Sequence, residues 1–139
     1  MSAQPVSLRI PPEARRSIEE IARRTGRDFS SVANEMLSEA VKMRCIPGIT
    51  FTDSASGRVA RLAGRNTKVF EIVAALRAVN GDRERLRQGY AWLSEQELRA
   101  ALAYAEAYPD EIAVRLRQDE AWSADTVWSA YPFTRPRDQ

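Results

Sequence analysis

The first change of hydrophobic period along the chain falls at a pair of prolines. Val6, Ser7, Leu8, Arg9 and Ile10 alternate with a period of two. That puts Val6, Leu8 and Ile10 on one face of an extended strand, and Ser7 and Arg9 on the other. Pro11 ends the strand because it has no N–H to give to a ladder. Pro12 suits a first helical turn, where an N–H would go unbonded anyway. The spacing then predicts a helix over 12–25, with Ala14, Ile18, Ile21 and Ala22 on its apolar side and Gly26 to stop it. In "RDFSS", Ser30 or Ser31 is the expected N-cap of a second helix running to about Arg44. Its stripe is Val32, Ala33, Met36, Leu37, Ala40 and Val41.

The period returns to two in Thr50-Phe51-Thr52. "DSASG" is turn chemistry, and Val59 and Leu62 follow among arginines, which reads as a β-hairpin. Asn66 or Thr67 is expected to cap a helix carrying Val69, Phe70, Ile72, Val73, Leu76 and Val79, stopped by Asn80-Gly81. A short helix near 82–88 precedes "GYAWLS". Ser94 and Glu97 then form a capping box for a helix with Leu98, Ala101, Leu102 and Ala105. A last short helix after Asp110 carries Ile112, Val114 and Leu116. The class is mostly α, divided into 1–45, 46–113 and an acidic aromatic tail, 114–139, of helical or irregular character.

A five-residue strand is not stable alone in water, and nothing in the first 45 residues offers it a partner. The economical answer is a second copy of itself. An antiparallel ribbon of two chains, covered by four helices, makes Val6, Leu8 and Ile10 the core of an obligate dimer.

Composition narrows the chemistry. With no histidine and a single cysteine, Cys45, the chain lacks Ser-His-Asp and Cys-His systems, an internal disulfide and a cysteine-based zinc site. No Gly-rich phosphate loop occurs. Glu95 and Glu97 are two residues apart on a helix and do not share a face, so they are not an acid–base pair. No catalytic residue, metal or cofactor is expected. No apolar run resembles a signal peptide or a membrane span, so the expected location is cytoplasmic. Residues 1–89 hold 16 Lys/Arg and 10 Asp/Glu, whereas residues 90–139 hold 5 and 9. A basic front and an acidic rear point to two partners of different character, or to a random spread of surface charge.

The strand–helix–helix order over about 4–44, with outward Ser7 and Arg9 and "TGRDFSS" between the helices, resembles the ribbon-helix-helix family of bacterial repressors and antitoxins. That resemblance implies a paired ribbon in the major groove of operator DNA, with Pro5, Ser7 and Arg9 toward the bases. Ser30 and Ser31, with Arg27 beside them, would then lie near phosphates. Pro5 has no donor, so Arg9 alone can make a bidentate guanine contact. The ribbon either reads DNA or serves only to dimerise.

The stretch 46–113, most specifically "WLSEQELRAALAYAEAYPDEI", resembles the domain-of-unknown-function family four-thirty-three. The resemblance implies a compact three-helix unit of helix-turn-helix type behind the hairpin, and an association with antitoxins of PIN-like ribonuclease toxins. The combination resembles a VapB-type antitoxin. The helix over 95–108 carries Glu95, Glu97 and Glu106 against Arg99, so it is not expected to enter a phosphate-lined groove. Arg58, Arg61, Arg65 and Lys68 either add phosphate contacts or form a solvated hairpin face. Trp122, Trp128, Tyr131 and Phe133 lie within twelve residues of one another. They either fold back on the chain or anchor the toxin. The leading expectation is a DNA-binding, toxin-neutralising homodimer that represses its own operon. The alternative is a stand-alone dimeric regulator with an adaptor domain.

Overall fold

The computed structural model describes residues 4–121, with side chains to Gln118; Trp122, Trp128, Tyr131 and Phe133 lie outside the described residues. Six helices and one two-stranded antiparallel sheet are found among the described residues, in the order α1 (Pro12–Thr25), α2 (Phe29–Cys45), β1 (Ile49–Ser54), β2 (Gly57–Leu62), α3 (Val69–Ala78), α4 (Arg83–Gly89), α5 (Glu95–Ala107) and α6 (Pro109–Ala121). The chain divides into two compact units, with the boundary between Lys42 and Met43.

In the first unit the expected strand is not formed. Residues 4–10 have no regular structure, so helices precede the only strands of the described chain. The physical reason is the one that made the strand unusual: a ladder needs a neighbouring edge, and one chain supplies none here. Pro11 and Pro12 open α1, the Arg15 N–H donating to Pro11 O at 3.0 Å, and Gly26 closes it at φ 68°. Between the helices the core is small: Ile18, Ala22 and Val32, flanked by Ile21, Phe29 and Ala33.

The N-cap of α2 is Asp28, not Ser30 or Ser31. Its Oδ1 accepts from the Ser31 N–H at 3.3 Å, which leaves both serines inside the first turn. A carboxylate is the better acceptor at the positive end of a helix.

The second unit contains the main core. The hairpin pairs Ile49 with Leu62 and Phe51 with Ala60, so these four side chains share the face toward the helices. They meet Val69, Ile72, Leu98, Ala101 and Tyr104, the last fully buried. The Tyr104 hydroxyl donates to Glu111 Oε2 at 2.7 Å, satisfying a phenol that burial would otherwise penalise. Ile112 and Leu116 of α6 are buried in the same cluster. The unit is therefore a hairpin with four helices, because α6, expected as part of the tail, supplies two core side chains.

The segment after β2 turns back on itself. The Leu62 N–H donates to Thr67 O at 2.9 Å and Arg61 bridges to Lys68, so α3 begins after Lys68, later than the expected caps Asn66 and Thr67. At the α5 N-terminus the capping box is complete: the Glu97 N–H donates to Ser94 Oγ at 3.0 Å, and the Ser94 N–H to Glu97 Oε1 at 3.2 Å.

Candidate dimer and nucleic-acid interface

The apolar positions expected to form the dimer core are bare in the single chain. Val6 is 85% exposed and Leu8 66%, while Ile10 is half-buried. The stripe on α2 is wider than α1 can cover. Val32 at one edge is buried, whereas Met36, Leu37 and Val41 are exposed. Between the N-terminal segment and the two helices lies a groove of about 440 Å³, floored by Ile18 and walled by Leu8, Ile10, Ala14, Met36 and Leu37. Isolated exposed leucines are ordinary; a groove and a stripe that run together are not.

Ser7 and Arg9 are exposed, and Arg9 has no side-chain partner among the described residues. It is a cation free to meet an external acceptor. Arg27 is not free in that sense. Its Nη1 lies 2.9 Å from Glu35 Oε1, tying the interhelix turn to α2. Ser30 and Ser31 are exposed at the start of α2. Asp28 already holds the Ser31 N–H there, and its carboxyl sits below the usual aspartate range. The Ser31 hydroxyl is the largest cause; it outweighs desolvation and is helped by backbone N–H groups and the Arg27 charge. A phosphate at this helix end would face a residue that is firmly anionic.

The basic hairpin residues are each engaged within their own unit. Arg58 Nη1 lies 3.2 Å from Asp53, and its carbonyl accepts from Arg115 of α6. Arg61 Nη1 donates to Arg65 O at 2.8 Å. Arg65 Nε bonds Glu97 Oε2 at 3.0 Å, with its guanidinium 4.7 Å above the Trp92 ring. Lys68 Nζ is 3.9 Å from Glu71. This cluster joins the hairpin to α3, α5 and α6, which the sequence left undecided between phosphate contact and a solvated face. On α5, Glu95 pairs with Arg87 at 3.1 Å and with Arg99 at 3.9 Å.

Sequence reasoning missed Arg115. Its Nη1 donates to Ser56 Oγ at 2.5 Å and to Ser56 O at 3.3 Å, clamping the hairpin turn to α6. The signal that existed was an arginine between the apolar Val114 and Leu116 of a late helix, which does not name a partner 59 residues away.

Among the described residues no cluster of His, Cys, Asp or Glu is arranged to hold a metal ion, and no helix is long and apolar enough to cross a membrane. No protein-family model, no curated protein and no solved structure matches the chain.

Proposed function

We propose that the N-terminal unit is half of a ribbon-helix-helix dimer that binds operator DNA, and that the chain is an antitoxin silencing a PIN-like ribonuclease toxin. The observation that carries the first half is the exposure of Val6, Leu8, Leu37 and Val41, with Leu8 and Leu37 lining one groove. Fully burying such a side chain contributes about 1.5–3 kcal/mol. For eight of them across a twofold interface, discounted for partial exposure, the gain is roughly 8–16 kcal/mol, against an association cost of roughly 4–15 kcal/mol. The ladder of a paired ribbon adds to the favourable side and satisfies the bare backbone of residues 6–10. A second copy is the partner proposed for this surface.

In such a dimer the outward side chains are Ser7 and Arg9, and Arg9 is unengaged. It is the residue assigned to base recognition. Arg27, Ser30 and Ser31 are assigned to the backbone. Only the Phe29 and Ser30 N–H groups remain for a phosphate, since Asp28 takes that of Ser31.

The toxin half of the proposal rests on the resemblance of residues 46–113, on the excess of carboxylates across residues 90–139, and on the aromatic residues Trp122, Trp128, Tyr131 and Phe133. Acidic residues around aromatic anchors suit a ribonuclease with a basic substrate channel.

Gel-shift titration against DNA upstream of the coding region tests the first half. Arg9→Ala should reduce discrimination between this DNA and random DNA by about 5–150-fold, the equivalent of one bidentate contact worth about 1–3 kcal/mol. The variant should remain dimeric. Undiminished discrimination removes the base-reading role. Co-expression with the product of an adjacent reading frame tests the second half: a stable complex with suppressed ribonuclease activity is expected. Failure to form one leaves the stand-alone regulator.

A further inference from the structure

The end of α3 holds chemistry that neither half of the proposed function uses. Asn80 is the one asparagine of the chain that a glycine follows. Among the described residues it is also the one non-glycine residue in the left-handed region, at φ 55°, with Gly81 beside it at φ 78°. Both are exposed. Together they close the helix. The Asn80 N–H donates to Arg77 O at 3.0 Å and the Gly81 N–H to Leu76 O at 2.9 Å, which are the two bonds of a Schellman cap. Asparagine tolerates the left-handed conformation better than most residues with a side chain, so it can stand where glycine is usual. The next helix starts at once: the Asp82 N–H donates to Val79 O at 3.1 Å, and Asp82 Oδ1 accepts from the Arg85 N–H at 3.1 Å.

We propose that Asn80 is a deamidation site that this cap holds closed while the second unit is folded. In the reaction the Gly81 main-chain nitrogen gives up its proton and attacks the Asn80 side-chain carbon Cγ. A new C–N bond closes a cyclic succinimide, and the side-chain amide nitrogen leaves as ammonia. Water then opens the ring at either carbonyl, giving aspartate or isoaspartate. Glycine favours closure because it sets no side chain against the forming ring. The fold opposes closure at the same atom, since the attacking nitrogen is the donor to Leu76 O. Breaking the two cap bonds first slows the step by about 5–150-fold. Refolding does not undo the isoaspartate product. Its main chain runs through the former side chain, one methylene longer, and a carboxylate is left beside Asp82. The joint it alters carries α4, which brings Leu86 into the core. A chain that has once opened here therefore keeps a weaker second unit. Neither the DNA nor the toxin proposal bears on this.

The test incubates the full-length protein at mildly alkaline pH, folded or in guanidinium chloride. Conversion is followed in the tryptic peptide 78–83 by mass, and as isoaspartate by methyltransferase labelling. Conversion is expected in both samples, at least about fivefold slower in the folded one. Asn80→Gly keeps a residue suited to the cap and should remove most of the label from the unfolded protein. Isoaspartate-bearing protein, refolded, should show a lower urea midpoint for the second unit than unmodified protein taken through the same steps. Equal rates in the folded and unfolded chains overturn the gate. An unconverted 78–83 peptide in the unfolded chain, or undiminished label in Asn80→Gly, overturns the site. A modified unit with the parental midpoint overturns the weakening.

Discussion

The two units differ in where their apolar side chains end up. In the second, fifteen buried residues among those described, from the hairpin, the helices and the segments joining them, form one cluster, with Leu62, Val69, Ile72, Ala101 and Tyr104 sealed from solvent. In the first, two well-formed helices bury three residues between them and leave Val6, Leu8, Leu37 and Val41 outside. Both units show amphipathic patterning in sequence, yet only one satisfies it within a single chain. The bare face of the first unit is the surface for which a second copy is proposed.

That contrast can be broken by substitution. Leu8→Lys should have the largest effect, converting a dimer to a monomer in sedimentation while the melt of the second unit stays in place. An unchanged sedimenting mass would mean that the bare face is not an interface. Leu62→Ala should do the reverse. It removes a fully buried side chain at a cost of about 2–5 kcal/mol, read as a lower urea midpoint for the second unit, with the dimer retained. Loss of the dimer as well would show that the units are coupled.

Smaller effects sharpen the picture. Ser94→Ala deletes the acceptor for the Glu97 N–H and should lower the stability of the second unit by about 0.5–2 kcal/mol in the same urea experiment. Acid sensitivity is subtler. Desolvation acts to raise the Glu97 carboxyl, but the Arg65 hydrogen bond, those from the Ser94 backbone and hydroxyl, and the Arg65 charge together hold it below the usual glutamate range. A depressed carboxylate contributes stability that is present above its unfolded pKa and lost as pH falls through the folded value. Glu97→Gln should therefore flatten the acid limb of the second unit's stability profile below about pH 4.5. An identical limb in the variant would assign acid sensitivity to other groups.

Much of the helical framework was legible in local chemistry. Pro12 and Gly26 mark the ends of α1, "DSASG" marks the hairpin turn, and Ser94 with Glu97 marks the start of α5. These signals lie within four or five residues of the features they set. Other features were not legible. Asp28 outcompeted Ser30 and Ser31 as a cap because an anion suits that helix end better than a hydroxyl, a preference that spacing does not reveal. Thr67 was lost as a cap because its carbonyl serves Leu62. Arg65 and Glu97 are 32 residues apart, and nothing in either neighbourhood announces the other. For the candidate interface, the alternation of Val6, Leu8 and Ile10 was visible, but it is not enough to form a strand, since one copy of the chain supplies no edge to pair with.

The clamp made by Arg115 has a consequence for biosynthesis. Ser56 and Arg58 cannot be secured until a residue nearly sixty positions later has been made. The first unit, which ends at Lys42, contains no such distant tie among its described residues. At ribosomal speeds of about 5–20 residues per second, some seventy residues separate the two moments by roughly 4–14 s. For that interval each nascent chain presents its N-terminal helices ahead of an unfinished remainder, a window open to the proposed pairing of sister chains on one message.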